Sequence, residues 1–369
     1  MGTSFDLGDG CLTAVLPCSD EGRPATSPPK GGIWAAGERG RRRLPSLRGG
    51  CLLPSVAGGL SPVNGSTGSA AAVVGATASG KSALALAMAR ADPRIELVSV
   101  DSMQVYRRMD IGTAKPTPAE RAEVPHHLID VIDPWEEFTV TGFAERARAA
   151  IGDIEARGRR PVLVGGTGLY LRAVIDELAV PGRFPDVRAE LDTEPDTRAL
   201  HRRLTELDPV AAGRMEPTNR RRILRALEVT LGSGRPFSSF GPGLEVYPPS
   251  RFRMVGIDLP FAALAARIED RYRRQIADGF VVEARRLLVD PRGISRTAGQ
   301  ALGYKELFSH LAGAYSLDEA VALAVRRTRR FARRQRSWFG RDPRIRWLRA
   351  DDPADLVEPL AVELGIAGV

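Results

Sequence analysis

Hydrophobic positions first gather at "SAAAVVGA", a short apolar run that ends on a glycine and reads as a buried parallel strand. "SALALAMARA" follows with helical spacing, and "IELVSVDS" gives a second strand that ends at Asp101. "HHLIDVID" predicts a third strand. "FAERARAAIGDIEARG" is helical with Gly158 as its stop, and "PVLVGGTGLYL" is a strand that runs into a glycine-rich turn. Strands alternating with helices make a doubly wound parallel sheet, and such sheets bind ligands at the carboxyl ends of their strands. The loop after the first strand, Asp101 and Gly165–Gly166–Thr167 should therefore face one crevice.

The alternation stops after Leu178. The following stretch reads as helices with charged faces and no strand run. "RFRMVGIDLP" restores a strand, long helical stretches follow at 261–290 and 317–340, and "IRWLRA" is a last short strand. The expected layout has a disordered Gly-, Pro- and Ser-rich extension at 1–68 and the first part of the α/β core at 69–180. A helical insertion occupies 181–245, basic helices complete the core over 246–350, and 351–369 form a tail.

Composition narrows the function. The 369 residues carry a formal charge of +8 and a pI of about 9.8, which favours a polyanionic partner. Only Lys30, Lys81, Lys115 and Lys305 are lysines; arginine fills the other basic positions. Where lysine persists against that bias, a compact ammonium is indicated. Cys11, Cys18 and Cys51 all precede the folded pattern, which excludes a disulfide framework or a cysteine zinc site within it. The four histidines are too scattered for a metal cluster. No apolar run reaches the ~18 residues of a membrane span, and "MGTSFDLGDG" lacks the marks of a secretory leader, so the expected location is cytoplasmic.

"GATASGKS", Gly75 to Ser82, fits G-x-x-x-x-G-K-[ST] between a strand and a helix, so the fold class is α/β of P-loop type. Backbone N–H groups from Ala76 to Gly80, through Thr77, Ala78 and Ser79, can wrap a diphosphate or triphosphate. Lys81 adds a point charge and Ser82 a hydroxyl for Mg²⁺. The usual occupant is ATP or GTP. Asp101, at a neighbouring strand end, could support the metal, accept a proton, or serve only as a helix N-cap or a surface carboxylate at a strand end. A nucleotide hydrolase usually has a further apolar strand ending in Asp, and here the best candidate ends in Gly-Gly-Thr. Arg222 and Arg225 share a helix face, as do Arg267 and Arg271. "RRTRRFARRQRSWFGR" is denser, either a solvated face or a phosphate-contacting one, with Phe331, Trp338 and Phe339 left for the core.

"GATASGKSALA", "SVDSMQVYRRMDIGTAKP", "PHHLIDV", "VLVGGTGLYLRA", "RALEV", "ALGYKEL" and "TRRFARRQRSWF" resemble, in this order, the bacterial tRNA dimethylallyltransferase family over roughly residues 70–350. The resemblance implies transfer of a dimethylallyl group from dimethylallyl diphosphate to N6 of the adenosine just 3′ of the anticodon, in tRNAs reading codons that begin with U. It implies that the loop holds the donor's diphosphate with Mg²⁺ at Ser82, that Asp101 is the general base, and that Lys81, Thr77 and Arg267 flank the leaving group. A second arginine common at the start of that helix in the family is replaced by Phe261. Asp101, Ser102, Met103, Gln104, Lys115, Thr167, Gln300 and Lys305 fall on motifs tied to tRNA contact; Arg188, Arg222 and Arg225 are the candidates in the insertion. A monomer is implied by the same analogy. Prenyl transfer to a free adenine nucleotide, an ATP-dependent small-molecule kinase and a non-catalytic RNA-binding module are the alternatives. The insertion and the basic C-terminal helix argue for tRNA.

Overall fold

The computed structural model describes residues 70–366 apart from Pro242. The expected N-terminal extension lies outside the described residues. The first half of the core comprises β1 (Ala71–Gly75), α1 (Lys81–Ala91), β2 (Ile95–Val100), α2 (Pro118–Glu123), β3 (His126–His127), α3 (Val140–Ala156), β4 (Arg160–Gly165) and α4 (Gly168–Ile175). Next come α5 (Pro185–Asp192), α6 (Thr197–Leu207), α7 (Pro209–Gly213) and α8 (Arg220–Ser233). The chain then adds β5 (Arg253–Asp258), α9 (Phe261–Ala277), α10 (Phe280–Leu288), α11 (Tyr304–Leu311), α12 (Leu317–Phe339), β6 (Arg346–Arg349) and α13 (Val357–Leu364).

The strands form one parallel sheet in the order β3-β2-β4-β1-β5-β6. β1, β2 and β4 are buried throughout, as expected of parallel strands covered on both faces. Alternate residues of β1 still serve different layers. Ala72 and Val74 join a core with Phe143, Leu171, Leu264 and Phe339, whereas Ala71 and Val73 meet Leu84, Met88 and Leu360 on the other face. The carboxyl ends of β2, β4 and β1 are consecutive, so the segments that follow them share one rim of the sheet.

Three expectations change. The third strand shrinks to two paired residues, because Leu128 (φ 63°) and Asp130 (φ 56°) turn left-handed. The helical stretch 261–290 divides at Gly279, whose φ of 97° no helix accommodates. The supposed tail contains α13, whose Leu360, Ala361 and Leu364 are buried against α1 and close one face of the sheet. Burying a side chain of this kind contributes about 1.5–3 kcal/mol, so this segment belongs to the core.

α5 to α8 enclose their own cluster of Leu191, Leu200, Leu204, Ile223, Leu224 and Leu227. α12 begins at a Ser316–Glu319 capping box and buries Ala320, Ala324, Thr328, Ala332, Gln335 and Phe339 along one side. The small residues in that stripe let α12 approach α9 and the end of β1 closely. Three of its arginines are neutralised by neighbours, Arg327 by Glu306, Arg329 by Glu269 and Arg336 by Asp258. Arg326, Arg330, Arg333 and Arg334 remain exposed. Among the described residues no helix is long and apolar enough to cross a membrane.

Candidate active site

The loop from Gly75 to Ser82 turns sharply at two points. Gly80 has φ 85° and a Cβ there would lie 2.5 Å from Pro353, so only glycine fits. Ala78 takes φ 65° without that freedom, a strained backbone position that the Arg267 Nε hydrogen bond to its carbonyl (2.9 Å) helps hold. Lys81 Nζ donates to Ala76 O at 3.2 Å. The N–H groups of Gly80, Lys81 and Ser82 have no acceptor among the described residues and open the first turn of α1, a suitable seat for an anion. Two expected donors are diverted, and the Ser79 N–H is one of them, bonded to Ala76 O at 3.3 Å. The Thr77 N–H points to Gln335 Oε1 at 2.8 Å and is not part of the open cradle.

Three charged groups converge beside the loop. Arg271 donates to Thr77 Oγ1 and to Gly112 O, each at 3.3 Å. Burial pushes the Lys81 ammonium down from its ordinary 10.5 to about 8; the charge of Asp101 opposes that shift and the charge of Arg271 adds to it. Burial likewise lowers the Arg271 guanidinium. Arg271 thus supplies a second cation beside Arg267. At the site of the substituted helix-start arginine, Arg333 stacks over the Phe261 ring at 4.3 Å.

Asp101 leaves β2 with one oxygen committed. Its Oδ1 accepts the N–H groups of Met103 (2.8 Å) and Gln104 (3.3 Å), so the side chain closes the turn that follows and caps no helix. Its Oδ2 has no hydrogen-bond donor among the described residues. Ser102 N–H donates to Thr167 Oγ1 at 3.2 Å, which ties the end of β2 to the turn after β4. A carboxylate has no room at the end of β4. A Cβ on Gly165 would lie 2.0 Å from Val100 O, and one on Gly166 would lie 2.3 Å from Gln335 Nε2.

Several residues expected to contact tRNA are held by partners within the protein. The Lys115 side chain is 2% exposed and donates to Tyr106 O (2.5 Å), Asp110 (2.7 Å) and Asp130 (2.5 Å), so its ammonium braces its own loop. Gln104 accepts from Ser99 Oγ and donates to the carbonyls of Thr113 and Ala114, which leaves its amide no free polar group. Arg225 binds Glu228 and Pro181 O at 2.7 Å each and fastens the insertion to the chain that enters it. Arg188 pairs with Asp192 at 2.9 Å, a surface pair of little strength. Met103 packs half-buried against the larger core. Arg222, Gln300 and Lys305 are exposed.

Glu283 stands in none of the motifs that the chain announces. Its carboxylate accepts the N–H groups of Asp110, Ile111 and Gly112 (2.9, 2.9 and 3.1 Å) and the Tyr304 hydroxyl (2.5 Å), so it fixes the loop whose Gly112 carbonyl holds Arg271.

A parallel sheet with a P-loop at the end of β1, a carboxylate after β2 and two arginines from α9 defines an α/β protein of P-loop type. Residues 104–342 match the family described as IPP transferase, and residues 68–130 match the one described as isopentenyl transferase. A tRNA dimethylallyltransferase of a Nocardioides species is 50% identical over 285 residues, 76% of this chain and 91% of the relative. The solved structure of the tRNA isopentenylpyrophosphate transferase of Bacillus halodurans aligns with a TM-score of 0.57 at 37% identity, over 80% of this chain and 97% of that one. A eukaryotic dimethylallyltransferase acting on tRNA aligns with a TM-score of 0.65 at 25% identity, over 79% of this chain and 76% of its own. The chain belongs to the IPP transferase family.

Proposed function

We propose that this protein transfers a dimethylallyl group from dimethylallyl diphosphate to N6 of the adenosine just 3′ of the anticodon, in tRNAs that read codons beginning with U. The observation that carries the mechanism is Asp101, with one oxygen held by the turn and the other open beside Lys81 and Arg271. The exocyclic amine of adenine is a weak nucleophile, because its lone pair is delocalised into the ring. The open oxygen of Asp101 takes the amine proton as the new N–C bond forms, a role worth about 10²–10⁴-fold. The allylic C–O bond breaks, and its electrons leave with diphosphate. The open N–H groups of the loop, Lys81, Arg267 and Arg271 stabilise the charge that develops there, typically about 10²–10³-fold for each well-aimed donor.

The Ser82 hydroxyl stands in the first turn of α1, exposed beside the open N–H groups. A single protein oxygen there suits Mg²⁺, which is usually held by one or two protein groups together with substrate phosphates. When bound, Mg²⁺ would neutralise diphosphate charge. The base has to leave its stack to reach Asp101. Ser102 and Thr167 flank that approach, and Arg222, Gln300 and Lys305 are the exposed candidates for the anticodon stem-loop. The protein acts as a cytoplasmic monomer in this reading.

Incubation of the full chain with Mg²⁺, labelled dimethylallyl diphosphate and an adenine-rich anticodon stem-loop tests the proposal, with AMP replacing the RNA in parallel. Label in the RNA without ATP consumption is expected. Label in AMP alone would reassign the acceptor, and ATP turnover without label would reassign the reaction.

A further inference from the structure

We infer that Gln335 is a positioning residue that sets the donor loop against the strand end carrying the base; this rests on the transferase reading above. Gln335 comes from α12, far along the chain from both partners, and is 6% exposed. Its Oε1 accepts the Thr77 N–H at 2.8 Å, and its Nε2 donates to Gly166 O at 2.9 Å. The two bonds fix the amide's orientation, since one partner offers only a proton and the other only lone pairs. The strand end is shaped for it: a Cβ on Gly166 would lie 2.3 Å from Nε2.

These contacts continue in both directions. Thr77 is gripped on its N–H by α12 and on its hydroxyl by Arg271 of α9. Gly166 precedes Thr167, whose hydroxyl receives the Ser102 N–H next to Asp101. One side-chain amide therefore joins the diphosphate cradle to the segment that places the base. Both ends of the Gln335 amide are taken by the protein. Its effect falls on the distance between the reactants, to which a transfer step is sensitive. A buried polar group in a stripe of alanines would otherwise cost stability, and here both of its ends are satisfied.

Two substitutions separate this role from general packing. Gln335→Met keeps the length and loses both bonds. Gln335→Glu keeps the shape. As a neutral acid it accepts from Thr77 N–H and donates its O–H to Gly166 O; as a carboxylate it only accepts and faces the Gly166 carbonyl with a negative charge. The assay measures transfer of labelled dimethylallyl to the stem-loop, with KM for donor and RNA taken separately, RNA binding by titration and thermal unfolding of each variant. For Gln335→Met, kcat/KM for the donor should fall about tenfold or more while RNA binding holds. For Gln335→Glu, the rate relative to wild type at the same pH should rise as the solution is made more acidic; linkage raises its relative stability over the same range, while RNA binding stays level with wild type.

Wild-type donor kinetics in both variants, or a Gln335→Glu ratio that is flat with pH, would overturn the assignment while leaving the transferase reading intact. Equal losses in RNA binding and donor use would also overturn it, because they would mark a packing role. A wild-type protein that labels no RNA would defeat the transferase reading itself.

Discussion

The Arg271 guanidinium meets the Thr77 hydroxyl at 3.3 Å across 194 positions of sequence, and the same guanidinium reaches Gly112 O. Two acceptors at fixed positions suit the planar fork of arginine; one lysine ammonium at the end of a flexible stem does not replace it. Arg271→Lys should therefore lower kcat/KM for dimethylallyl diphosphate by about 10²-fold. Arg267 is exposed and among the described residues bonds only Ala78 O, so Arg267→Lys should cost less. Steady-state kinetics with the donor varied decides the order. A larger loss at Arg267 would reverse the assignment of the two cations.

Asp101 holds its turn through one oxygen, and an amide oxygen can do the same. Asp101→Asn should keep the Met103 and Gln104 hydrogen bonds, the unfolding temperature and the RNA affinity, while kcat falls about 10²–10⁴-fold. Single-turnover transfer measured beside stem-loop binding checks both halves. An Asn variant that keeps its rate would show that the proton leaves by another route.

Lys115 carries a stability prediction where the sequence suggested RNA contact. Lys115→Met leaves Asp110, Asp130 and the Tyr106 carbonyl without their common donor. Removing one partner of a buried pair costs about 3–5 kcal/mol, but both carboxylates here retain some solvent, so we expect about 2 kcal/mol. Urea unfolding should register the loss, and the folded variant should still bind the stem-loop. Weaker RNA binding at unchanged stability would restore the RNA-contact role.

What was legible in the chain was local. The loop from Gly75 to Ser82, Asp101 and Thr167 stand at strand ends announced by short apolar runs, and parallel topology brings those ends together. Persistence of lysine marked position 115 as special, yet its partner Asp130 depends on left-handed turns that no hydrophobic period reports. Arg267 and Arg271 were visible as a pair, but which one turns inward depends on the docking of α9. Gln335 lay hidden in an arginine run. The available signal was its place beside the stripe Ala320, Ala324, Thr328 and Ala332, where a buried polar residue must find partners. Glu283 had no such signal, because three of its partners are backbone N–H groups and the fourth, the Tyr304 hydroxyl, comes from another helix.

Lys81 gives two pH trends of opposite sign. With its proton held to about 8 in the folded protein against an ordinary 10.5, the unfolded chain binds more protons between these values. Stability of the donor-free protein from this group therefore rises with pH across that window. Donor use runs the other way: the anionic diphosphate needs the ammonium, so kcat/KM for the donor should fall as pH rises through about 8, and donor binding there should take up a proton. Lys81→Met provides the reference, since subtracting its unfolding curve removes the other alkaline titrations. Wild type minus variant should grow more favourable with pH in stability and less favourable in donor binding. A kcat/KM profile flat through this range would mean that Lys81 stays charged in the donor-free protein as well, and that the charge of Asp101 offsets its burial.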